Sequence, residues 1–101
     1  MRQLRGAVRR TLQALHLDRD VERATALGAW PDAIASVLGP TAREVRAIRV
    51  DAETLVVLVP DTGWAGEIRL REREIVAALR ASAPRCGVTR LRCAPANERG
   101  R

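Results

Sequence analysis

The residue type with the number and placement to do chemistry in this chain is arginine. All eighteen basic residues are arginine, set against twelve acids, and the formal charge is +6. The complete absence of lysine reads as the codon usage of a GC-rich genome. The distribution of the charge is more informative. Residues 1–17 carry Arg2, Arg5, Arg9 and Arg10 with no acid, and residues 85–101 carry five arginines against Glu98. Each end therefore stands at +4 and the middle at −2. A basic protein charged at both ends suits a polyanion such as nucleic acid, because neutralising phosphates releases condensed counterions. Charge kept for solubility is the plainer alternative.

Other reactive types are sparse. His16 is the single histidine, so no Ser-His-Asp arrangement has a choice of base, and with Cys86 and Cys93 it cannot complete a four-ligand zinc site. Two cysteines are too few for a disulfide scaffold. They read as reduced thiols, with Cys93 buried in a strand. No phosphate-binding or dinucleotide-binding glycine fingerprint is present, and Asp51, Glu53 and Asp61 fall where turns and caps account for them. Neither an enzyme nor a cofactor is expected. Gly63-Trp-Ala-Gly66 has the bare spacing of the phosphate clamp of KH nucleic-acid modules. It lacks the positive charge usual in such a loop, so a turn glycine beside a core tryptophan is the favoured reading.

The elements that position these residues centre on 46–68. Ile48 and Val50 alternate with Arg49, Asp51 to Glu53 supply a turn, and Leu55 to Val59 form an apolar run that Pro60 closes. Five apolar residues in a row leave neither face of that strand polar, so its second face is expected to show apolar surface or to meet a partner. Upstream, Leu4, Val8, Leu12 and Leu15 predict an amphipathic first helix with Arg2, Arg5 and Arg9 on another side. Asp18 or Asp20 is expected to cap a second helix through Trp30, Ile34 and Val37. Pro31 would kink or restart it, and Gly39-Pro40 would end it. Downstream, Asp61 or Thr62 caps a third helix bearing Trp64, Ile68, Ile75 and Leu79, with Leu70 off the apolar stripe. Val88 to Cys93 forms a last strand with Arg90 and Arg92 facing away from the helices. The order is helix, helix, strand, strand, helix, strand, an α+β layer with helices on a three-stranded sheet.

The spacing of Trp30, Gly39, Leu55-Val-Val-Leu-Val59, Trp64, Glu67-Ile68 and Ile75 to Leu79 resembles the DciA family of bacterial proteins over roughly residues 4 to 94. The resemblance implies a KH-like domain that assists loading of the replicative helicase and binds single-stranded or forked DNA. The matching positions, Trp30, Gly39, Leu55, Val57, Trp64 and Ile68, all look like structural core. The chain departs from the pattern at Pro31 and at Gly63 and Gly66. It also carries no long C-terminal extension of the kind many relatives have, which puts a tail-mediated helicase contact in question.

The resulting expectation is one KH-like domain over 1–94 with a frayed tail over 95–101, acting as a non-enzymatic replication accessory protein. Arg2, Arg5, Arg9, Arg90 and Arg92 are the expected DNA contacts. With no apolar run longer than five residues and no secretory core in Met1 to Arg10, the expected place is the cytoplasm, away from membranes. Two alternatives stay open. One is a KH-like RNA-binding module of ribosome assembly or translation, with a role for Gly63 and Gly66. The other is an adaptor that dimerises through the apolar second strand.

Overall fold

A computed structural model describes the backbone of residues 2–96 and the side chains of residues 19–96. Helix α1 runs unbroken over Arg2–Leu38. This corrects the expectation of two N-terminal helices. An aspartate caps a helix only where the backbone leaves helical geometry. Around Asp18 and Asp20 the chain offers good helix formers on both sides and no glycine or proline, so propagation continues. Pro31 removes the donor that would reach the Leu27 carbonyl. It sits exposed on the solvent side, where water can take that carbonyl, and the helix passes through it.

Gly39 ends α1 with φ +94°, a conformation that favours glycine, while its amide still reaches the Ala35 carbonyl at 2.9 Å. A 3-10 turn over Pro40–Glu44 then lies back along the helix, held by Arg43 to Asp32 at 2.9 Å. The chain enters strand β1 (Arg46–Asp51), turns at Ala52 and Glu53, and returns as strand β2 (Thr54–Val59), antiparallel to β1.

The long helix expected after β2 is two helices. Asp61 caps α2 (Thr62–Leu70) by accepting from the Trp64 amide at 3.0 Å, and α3 follows over Glu72–Ser82. At the joint, Arg71 has φ −118° and ψ 22°, and its amide is shared between the Glu67 and Ile68 carbonyls at 3.2 Å each. The helix pair changes partner here, α2 packing on β2 and α3 on α1 and β3. Strand β3 (Arg90–Pro95) closes the domain parallel to β2, giving the order β1-β2-β3. It begins two residues later than expected: Val88 is fully buried ahead of it, and the amides of Thr89 and Arg90 donate to the Glu53 carbonyl at 2.9 and 3.2 Å.

One face of the sheet carries the core. Leu55, Val57 and Val59 of β2 meet Trp30 and Ile34 of α1, Ile68 of α2, and Ile75 and Leu79 of α3. Fully burying each large aliphatic side chain contributes about 1.5–3 kcal/mol. Val56, Leu58 and Ala94 form a separate cluster with Ile48, made of sheet residues alone. Among the described residues, no helix is long and apolar enough to cross a membrane.

Candidate nucleic-acid interface

Strand register builds the site. Residues directly opposite one another on neighbouring strands share a face. Val56 stands opposite Arg49 on one side and Arg92 on the other. Leu58 stands opposite Arg46 and Ala94, and Thr54 opposite Asp51 and Arg90. All of these lie on the face away from the helices, because Leu55 and Val57, one residue out of phase, are the ones packed against them.

A bulge makes the arrangement possible. The register of β1 shifts between Ala47 and Arg49, so Ile48 is the extra residue. In a regular strand Arg46 and Arg49 would point to opposite faces. The bulge absorbs one residue and puts both on the open face, with Ile48 packed on Val56 and Leu58.

The open face is therefore an apolar strip bordered by four arginines. Val56 is only 1% exposed although the cluster around it holds no helix residue. Arg49 and Arg92 flank it on the neighbouring strands, and the aliphatic stem of an arginine can lie over apolar surface while its guanidinium group stays in water. Arg49 bonds Asp51 at 2.9 Å, and Arg90 stands 3.6 Å from Glu53. Both pairs are well exposed, contribute little to stability, and are easily exchanged for other anions. Arg46 and Arg92 make no ion pair among the described residues. Arg49 and Arg92, two strand spacings apart, stand roughly 10 Å from each other, with the buried Val56 between them.

Of the arginines expected to touch DNA, Arg90 and Arg92 come together on this face. Arg2, Arg5 and Arg9 belong to α1, but their side chains lie outside the described residues, as does the tail over 97–101. Sequence reasoning missed Arg46 and Arg49. Their signal was present in β1, but without the bulge it assigns them to opposite faces.

Of the residues expected in the core, Trp30, Leu55, Val57 and Ile68 are buried. Trp64 is half-buried against the core, and Gly39 forms the joint after α1. Gly63 and Gly66 lie within α2, exposed, rather than in a loop between helices. The joint that does separate two helices, Leu70-Arg71-Glu72, contains no glycine. The phosphate-clamp reading has no loop to stand on.

Among the described residues there is no buried charged side chain and no metal-ligand cluster. Cys86 is buried. Cys93 is half-buried on the helix side of β3, and burial pushes its thiol up, Arg69 opposing and Glu72 adding to the shift.

The described residues thus form an α+β domain with helices on one face of a mixed sheet and four arginines on the other. The family model described as "Dna[CI] antecedent, DciA" matches residues 4–93, and the chain belongs to that family. The family is one of accessory proteins of DNA replication, associated with the replicative helicase. Comparison with curated proteins gives no match.

Proposed function

We propose that this chain is a non-enzymatic accessory protein of DNA replication that holds DNA on its open sheet face and assists loading of the replicative helicase. One observation carries the DNA part: Arg46, Arg49, Arg90 and Arg92 surround an apolar strip that no described helix residue joins. Guanidinium groups neutralise phosphates and release condensed counterions, and the buried strip beneath them fixes the strands that carry them. Family membership supports the helicase as protein partner. The arginines of the first turns of α1, Arg2, Arg5 and Arg9, add positive charge to the same molecule and belong to the proposal as further phosphate contacts. The RNA-binding alternative loses its one specific signal with Gly63 and Gly66 inside α2.

The test is co-elution of the purified protein with the replicative helicase of its host, at low and high salt, with and without a forked DNA. The proposal expects co-elution, and transfer of helicase to the fork that depends on Arg46 and Arg92. A protein that passes the helicase by at both salts, or prefers structured RNA to the fork, overturns it.

A further inference from the structure

A second group of arginines lies around the edge of β3 from the open face. Arg73 and Arg80 on α3, with Arg90 at the start of β3, line a groove of about 480 Å³ whose remaining walls include Val76, Ala77 and Thr89. Arg73, Ala77 and Arg80 fall at i, i+4 and i+7, on one side of the helix. Arg73 and Arg80 are exposed and make no ion pair among the described residues. The one acid in the groove is Glu72, and it is committed: its Oε2 accepts from the Leu91 amide at 2.8 Å. Three guanidinium groups against one carboxylate leave the groove positive, and Glu53 at 3.6 Å is the loose partner of Arg90.

Arg90 belongs to both surfaces. It stands opposite Thr54 on the open face and also lines the groove. A phosphate backbone that follows the arginines from Arg92 to Arg90 and on to Arg73 and Arg80 must turn over the β3 edge, from the open face to the helix side. Duplex DNA, with a persistence length of roughly 150 base pairs, does not turn so sharply at modest cost. A single strand does.

We propose that Arg73, Arg80 and Arg90 form a phosphate-binding groove that receives a single strand after it crosses the open sheet face and turns over the β3 edge. This rests on the reading of the open face as a DNA surface, and it assigns a second site and a path to the ligand. Strands long enough to span both surfaces bind through both, while short strands bind through the sheet face alone.

The experiment uses the full chain and oligothymidines of graded length, from about four to about sixteen nucleotides. Arg73→Ala/Arg80→Ala is compared with wild type and with Arg46→Ala/Arg92→Ala, and circular dichroism checks folding. Alanine on an exposed helix face preserves the helix. The groove variant is expected to match wild type on the shortest strand, to lose the gain in affinity with length, and to show a salt slope shallower by about 1.4 on the longest strand, about 0.7 per lost contact. Arg73→Lys/Arg80→Lys should restore most of that slope, and Arg73→Gln/Arg80→Gln, which removes the charges but keeps long polar side chains, should lose it as the alanine pair does and reports on the groove if the alanine pair misfolds. Wild-type behaviour of the groove variant at every length, beside weakened binding by the sheet variant, overturns the groove and leaves the sheet face standing. Wild-type behaviour of both variants overturns both readings. An equal loss on a rigid duplex overturns the turning path.

Discussion

The indole Nε1 of Trp30 donates to the carbonyl of Val45 at 2.7 Å, both residues being buried. This bond ties α1 to the residue just ahead of β1 and so sets where the first arginine-bearing strand begins. Trp30→Phe should keep the aromatic packing and leave the Val45 carbonyl without its partner, at a cost of about 2–3 kcal/mol. Urea unfolding should show a lower midpoint with an unchanged slope. A midpoint equal to wild type would mean that the bond does not hold the two elements together.

Ala52, in the β1–β2 turn, has φ +54°, where a Cβ is strained by about 1–2 kcal/mol. Ala52→Gly relieves that strain but adds freedom to the unfolded chain. The net expectation is a gain of about 0.5–1 kcal/mol in the same unfolding measurement, with no change in DNA binding. A loss of stability would show that the turn is not limited by the alanine.

The outward edge of β3 is partly closed at Leu91 and Pro95. The Leu91 amide, which faces away from β2, is taken by Glu72 at 2.8 Å, and Pro95, in the same phase, has no amide hydrogen to offer. Glu72→Leu should cost about 1.5–3 kcal/mol, as expected for a hydrogen bond to a charged group, and should make the protein associate as concentration rises. Sedimentation of the variant as wild type at all concentrations would rule out the edge-closing role.

Burial favours the neutral thiol of Cys93, so its folded-state value lies above the ordinary 9.0. The sign follows from proton binding. The stabilisation is fully present below pH 9.0 and is lost as pH rises through the folded value, because the unfolded chain ionises first. Stability should therefore decline above pH 9 in wild type, and less so in Cys93→Ala. Parallel declines in the two proteins would assign the effect to other groups.

Much of this architecture is written in local pattern. The alternation of Leu91 and Cys93 with Arg90 and Arg92 gave the last strand and its two faces, and Leu55 to Val59 marked the strand that sits centrally. Asp18 and Asp20 misled because a capping residue type does not end a helix unless the backbone turns. The break at Arg71 was invisible because it carries neither glycine nor proline and follows from a change of packing partner. The open face was half legible. Arg90 and Arg92 follow from alternation, whereas Arg46 and Arg49 share their face only through the bulge at Ile48, which is a property of pairing with β2.

One titration tests the open sheet face as a DNA surface directly. A fluorescent oligothymidine is titrated with wild type and with Arg46→Ala/Arg92→Ala at several salt concentrations. Loss of two phosphate contacts predicts weaker binding and a log–log salt slope shallower by about 1.4. Affinity and slope indistinguishable from wild type, in a variant that folds normally, would contradict the assignment of this face to DNA.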